Sequence, residues 1–131
     1  MTEANLTKLA NAIATQEGFF TLEEKPNRPQ RNNNPGDLRD ACNGTEWIGQ
    51  IGVDDGGFCI FATIEDGWRA LQRDLTNHAA KWPWQSLASF IGGEHGWPGY
   101  APASDSNEAT GYAEAIADAL GVTPQTRFSE L

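Results

Sequence analysis

Two stretches, Gln16-Glu17-Gly18-Phe19-Phe20 and Arg31-Asn32-Asn33-Asn34-Pro35-Gly36-Asp37-Leu38-Arg39, mark where one kind of structure ends and another begins. Upstream, Leu6, Leu9, Ala10 and Ile13 recur at helical spacing and predict one buried stripe. Glu17 continues that stripe by four residues. Gly18 supplies a helix stop, and Phe19 and Phe20 begin the exit. A carboxylate in an apolar stripe is costly as an anion unless paired, and the negative end of the helix dipole disfavours it further. Both effects favour the protonated form, which a general acid needs near neutral pH. Spacing alone leaves a second reading open, in which the helix ends one turn earlier and Glu17 is a solvated surface residue.

Downstream, Thr21 to Gly36 holds three prolines and three consecutive asparagines without apolar periodicity, and is expected to be a long loop. Such loops are usually functional or disordered. The amide and guanidinium groups of residues 31–39 can hydrogen-bond hydroxyl and acetamido groups, and asparagine equally suits plain turns. From Asp37 to Ala62 the segments DLRDAC, EWIGQIGV and GFCIFA, with Asp54-Asp55-Gly56-Gly57 between the last two, predict a small two- or three-stranded sheet. Thr63 and Asp66 resemble a capping box opening a helix to about Lys81, with Ile64, Trp68, Leu71 and Leu75 inward.

After Pro83 a short helix is expected from about Trp84 to Ile91, then a Gly/Pro/aromatic loop from Gly92 to Ser104. Asp105, Ser106 or Asn107 would cap a further helix burying Tyr112, Ile116, Ala119 and Leu120 before Gly121 stops it. Thr123-Pro124 then reads as the start of a short turn. The expectation is one α+β domain, mainly α, over residues 1–131.

Composition narrows the function. With 18 acidic and 9 basic residues the net charge is −9, which repels nucleic acid and anionic membranes. The densest basic stretch, Lys25, Arg28 and Arg31, is diluted by prolines and asparagines. No run approaches the ~20 apolar residues of a membrane span, and the N-terminus lacks the basic and apolar regions of a secretory signal. Synthesis in a cytoplasm is therefore expected, with any substrate beyond the membrane reached by some delivery system. Cys42 and Cys59 flank the expected hairpin, which leaves a disulfide and two free thiols both open.

Four ordered pieces carry a resemblance: Gln16–Phe19 with Arg31–Leu38; Phe61-Ala62-Thr63; Gly67-Trp68-Arg69-Ala70-Leu71; and Tyr100–Asn107 with Tyr112. Together, spanning roughly Ala12 to Val122, they resemble the lysozyme-like muramidase and lytic transglycosylase domains of phage particles, endolysins and prophage-derived proteins. The resemblance implies a lysozyme-like fold, with a small antiparallel sheet and several helices around a substrate cleft. It implies cleavage of the β-1,4 bond between N-acetylmuramic acid and N-acetylglucosamine in bacterial peptidoglycan, Glu17 being the catalytic acid, with no metal or cofactor. Release through a holin, a virion or another delivery system, and action as a monomer, belong to the same expectation.

The expected substrate contacts are Asn33, Asn34, Asp37, Trp97, Tyr100 and Tyr112. Trp97 and Tyr100 sit in the Gly/Pro loop, where a ring either stacks on sugar or anchors the loop; Trp68, Trp82 and Trp84 read as packing. Tyr112 points into the cleft by resemblance, and by spacing alone is a buried helix residue. Asp37 stands where such domains commonly have asparagine, and Ser106–Thr110 loosens their Asn-x-Thr spacing, which affects sugar contacts more than catalysis.

Paired-carboxylate glycosidases need a second carboxylate, for which Glu23, Glu24, Asp37 and Asp40 are the candidates by position. The glutamate–aspartate–threonine spacing of one class of phage lysozymes is absent, since Pro26 lies nine residues past Glu17. A single-glutamate mechanism is expected, with water or the muramoyl 6-hydroxyl as the attacking group. Two rivals stand beside this reading: a Cys/His peptidase or amidase using Cys42 or Cys59 with His78 or His95, and a non-catalytic glycan-binding or virion module of the same shape.

Overall fold

Helix α1 runs Glu3–Gln16 and buries Leu9, Ala10, Ala12, Ile13 and Ala14, the expected stripe with Leu6 only half covered. It closes in a Schellman turn, in which Gly18, at φ 84°, donates to Thr15 O at 3.1 Å and Phe19 donates to Ala14 O at 3.0 Å. Glu17 is thus the cap of α1, its N–H on Ile13 O at 2.9 Å.

The computed structural model describes residues 1–101 and 106–131, with only the backbone at 106 and 107. The chain divides into two units, residues 13–75 and residues 1–12 with 76–131.

In the unit of residues 13–75, the expected loop contains a turn of helix, α2, Arg28–Arg31. Asn27 accepts from Gln30 N, and Gln30 Oε1 accepts from Asn27 N at 3.0 Å, a reciprocal cap that needs no apolar repeat and so escapes a search for one. Strands β1 (Gln50–Val53) and β2 (Cys59–Phe61) pair antiparallel, with a bulge between Gln50 and Gly52. Asp54 organises their turn, its Oδ1 accepting from Gly56 N and Phe58 N at 2.9 Å each. The segment DLRDAC contributes no third strand, only a single bridge from Arg39 to Phe58.

The backbone of β2 is instead completed by the asparagine segment. Phe61 N donates to Asn32 O at 2.8 Å and Cys59 N to Leu38 O at 2.9 Å. Asn34, 0% exposed, donates to Leu38 O and Cys59 O at 3.0 Å and accepts from Leu38 N at 2.9 Å. One amide does the bonding of a missing strand, which answers the requirement that buried backbone groups be paired.

Helix α3, Ile64–Lys81, begins where Thr63 Oγ1 accepts from Asp66 N at 3.1 Å. Leu71 and Leu75 are buried as expected, together with Ala70; Ile64 is exposed and Trp68 half-buried, contrary to the expected inner face. Gly67 explains the rotation: a Cβ there would collide with the Asn33 carbonyl and lie 2.8 Å from Pro35 Cδ. The helix meets the asparagine segment through its glycine, which carries Trp68 away from the core.

In the other unit, α4 spans Leu87–Gly92, starting later than expected because Ser86 is the cap, its side chain accepting from Ser89 N at 3.1 Å. Helix α5 spans Ser106–Leu120 and buries Tyr112, Ala113, Ile116, Ala117 and Leu120; Ala119, expected inside, is exposed. The proposed cap Asp105 and residues 102–104 lie outside the described residues. A 3-10 turn at Phe128–Glu130 ends the chain, and Leu131 O accepts from Thr2 N and Asn5 Nδ2. Buried His78 sits among the rings of Trp82, Phe90, Trp97 and Phe128. Its Nε2 bonds Gln85 Oε1, and Gln85 Nε2 donates to Glu94 Oε1 at 2.8 Å.

The architecture is α+β and mainly helical, with five α-helices and one two-stranded antiparallel sheet among the described residues. No helix among them is long and apolar enough to cross a membrane.

Candidate active site

Glu17 is half-buried at the end of α1, and the turn after it is stitched to α2 by side-chain amides. Asn27 Nδ2 donates to Gly18 O at 2.7 Å, and Gln30 Nε2 donates to Phe19 O at 3.0 Å and Thr21 O at 2.7 Å. The cap and one residue of a short helix therefore hold the turn that follows Glu17. Arg28, the first residue of α2, follows that cap directly.

Arg28 forks onto Asp37, its Nε lying 3.0 and 3.1 Å from the two carboxylate oxygens and its Nη2 bonding Oδ2, and its guanidinium covers the Phe58 ring at 3.6 Å. The Arg28 guanidinium is held above its ordinary range, first by the Asp37 hydrogen bond and then, against the opposing effect of burial, by the charges of Asp37, Asp54 and Glu17. Glu17 therefore lies within the field of Arg28.

Of the expected site residues, the catalytic Glu17 and the substrate contacts Asn33, Asn34 and Asp37 fall in the unit of residues 13–75, and the contacts Trp97, Tyr100 and Tyr112 in the other. Asn34 spends its amide inside the fold, as described above. The Asp37 side chain is 4% exposed and tied to Arg28. Asn33, at φ 51°, donates to Phe61 O at 3.1 Å and is half-exposed. Trp97 donates Nε1–H to Phe90 O at 2.9 Å and stacks on the Phe90 ring, which is loop anchoring. Tyr100 is half-buried against Phe90, and Tyr112 is buried, 6.5 Å from Tyr100 between ring centroids.

Breaking the fork is expected to show in stability. Asp37→Asn keeps the left-handed backbone at φ 50°, which asparagine tolerates, but leaves Arg28 without its counter-charge. Arg28 remains 45% exposed, so water compensates part of the loss, and a cost of about 1–2 kcal/mol is expected in urea unfolding.

The candidate second carboxylates differ in setting. Glu23 and Glu24 are exposed, Asp37 is paired, and Asp40 accepts from Cys42 N and Gln50 Nε2. A carboxyl that the sequence reading passed over, Asp74 in α3, is pushed up to about 6 by burial. Its signal was available: Asp74 lies between Leu71 and Leu75 on the inward side of an amphipathic helix, where a charge is as unusual as Glu17 in α1.

Two further residues were missed as site candidates, Phe20 and Trp68. Phe20 is 52% exposed, and its ring lies 6.0 Å from that of Trp68 at 29°, with Phe19 edge-on to both. This pairing of an exposed ring, three residues past Glu17 in the chain, with a half-buried one on α3 depends on the turn of α3 set by its glycine contact.

No protein-family model, curated protein or solved structure matches the chain.

The thiol chemistry that competed with Glu17 has a poor setting. Cys42 and Cys59 are unbridged; Cys42 is exposed, and Cys59 is buried with its thiol pushed up to about 11, first by burial and then by the Asp40 charge. An activated nucleophile needs the opposite shift. His78 is occupied by Gln85, and burial lowers it below the ordinary histidine range against the raising effect of that bond. Among the described residues no group of three or more His, Cys, Asp or Glu side chains is placed to hold a metal.

Proposed function

We propose that this chain is a peptidoglycan glycosidase of lysozyme-like fold, cleaving the β-1,4 bond between N-acetylmuramic acid and N-acetylglucosamine with Glu17 as general acid and then base. The observation that carries the reading is the placement of Glu17: a half-buried residue at the end of the first long helix, the turn after it held by the amides of Asn27 and Gln30, and followed by an asparagine segment laid along the sheet. These are the features on which the sequence resemblance rests, in the same order.

In this mechanism Glu17 gives its proton to the leaving glycosidic oxygen as the bond to the anomeric carbon breaks. The resulting carboxylate takes a proton from the attacking group, water in hydrolysis or the muramoyl 6-hydroxyl in transglycosylation. The substrate implies delivery to the wall by a holin, a virion or another carrier, and the enzyme is read as acting as a monomer without a cofactor.

The test is mass spectrometry of fragments released from purified sacculi. Reducing muramic ends identify a muramidase, and 1,6-anhydromuramic ends a lytic transglycosylase. Reducing glucosamine ends would move the cleavage to the other bond, and no released fragments would end the enzyme reading.

A further inference from the structure

Phe20 and Trp68 have no role yet in the proposed chemistry, although both belong to the unit that carries Glu17. Phe20 lies three residues past Glu17, in the same turn, 52% exposed. Its ring and that of Trp68 are stacked at 29°, and the Phe19 ring stands nearly perpendicular to both, at 75° and 83°. Phe19 thus buttresses the pair. Leu22, two residues past Phe20, is 98% exposed.

What marks this patch as built rather than incidental is the backbone beneath it. The single amide of Gln30 donates to the carbonyls of Phe19 and Thr21, the residues on either side of Phe20. The Schellman turn fixes the same backbone from the other side, with Phe19 N on Ala14 O. An exposed ring on a turn held at both flanks is presented in one orientation, so little ordering remains when something stacks on it.

The size and chemistry of the patch select the occupant. A stable protein interface needs on the order of 800 Å² per partner, several times what a ring pair and one leucine offer. An exposed aromatic surface on the turn that follows Glu17 suits a ligand with one apolar face and a hydroxylated rim, the character of a pyranose ring. We propose that the Phe20–Trp68 shelf is a sugar-stacking subsite, its ligand the apolar face of an N-acetylhexosamine ring in a β-1,4-linked chain. This rests on the glycosidase reading for the identity of the sugar, and gives that reading a binding contact one turn from the acid.

The probe is the tetramer of β-1,4-linked N-acetylglucosamine, titrated by calorimetry into full-length protein carrying Glu17→Gln so that nothing is turned over. Adding Phe20→Ala is expected to weaken binding about tenfold, and Phe20→Trp to restore it. Aromatic proton shifts on titration should appear at Phe20 and Trp68. Circular dichroism of Phe20→Ala should match the parent, because the clamp uses only backbone carbonyls at 19 and 21, and the melting temperature should fall only by the loss of the ring contacts to Phe19 and Trp68.

Three results would overturn the shelf: tetramer affinity within twofold of the parent in Phe20→Ala, no binding of the tetramer by the parent, or a parental dimer that Phe20→Ala converts to monomer. Sacculus digestion separates the two ideas. Fragments released equally by the chain with Glu17 intact and by its Phe20→Ala variant, with tetramer affinity also unchanged, sink the shelf alone. Phe20-dependent tetramer binding by a chain that releases no fragments sinks the glycosidase and leaves the shelf standing.

Discussion

Glu17→Gln is expected to fold as the parent does and to release muropeptides from sacculi at a rate lower by about 10²–10⁴, the range for loss of a general acid–base group. The substitution keeps the shape and hydrogen-bonding capacity of the side chain but removes the transferable proton. It also leaves the α1 cap in place, because the cap is made by the backbone of residues 14–19 and not by the carboxyl. A melting temperature close to that of the parent is therefore part of the expected result. Activity surviving within a few-fold would remove Glu17 from the mechanism, since neither proton transfer assigned to it can be carried by an amide.

Asp74→Asn is expected to act in the opposite sense, raising stability at neutral pH. Burial lifts this carboxyl from an unfolded value of 3.8 to about 6, so the folded protein holds the Asp74 proton more tightly than the unfolded chain does. Between about pH 4 and pH 6 the native state binds more protons, and stability falls as pH rises through that window. Above it the penalty is constant, at most about 3 kcal/mol for a shift of this size and less where side-chain relaxation admits water. Asparagine cannot ionise and avoids it. Urea unfolding at pH 4 and pH 7 should show the parent losing stability across the interval and Asp74→Asn losing less, with the variant more stable at pH 7.

The same variant bears on the mechanism. A single-glutamate enzyme should keep its sacculus-digesting rate when Asp74 is replaced. A variant that is more stable yet at least a hundredfold slower would make Asp74 a working second carboxylate, held ionisable at a cost in stability.

Much of the fold was legible because it follows from local chemistry. Gly18 ends α1 by taking a positive φ, and Asp54-Asp55-Gly56-Gly57 turns the hairpin. The parts that were not legible depend on contacts between distant residues. Nothing in the spacing of α3 shows that Gly67 must face the Asn33 carbonyl, and so Trp68 reads as core although the structure turns it outward. The asparagine run reads as ligand-binding or turn chemistry; which amide is consumed internally depends on where β2 lies. Asn34 proves to be sheet scaffold, while Asn33 keeps part of its surface exposed. For the site, Glu17 stood out because a charge interrupts an apolar stripe, whereas Asp74 in an equivalent position was passed over.

The clamp on the turn after Glu17 bears on how such a protein can change. Gln30 grips the carbonyls of residues 19 and 21, groups that every amino acid possesses, so the path of the backbone does not depend on the side chain at position 20. Position 20 is in effect an interchangeable socket. A lineage could replace phenylalanine there with a larger ring, a polar group or a small residue while the turn keeps its path and only the contacts to the Phe19 and Trp68 rings change, altering what the surface recognises in a single mutational step.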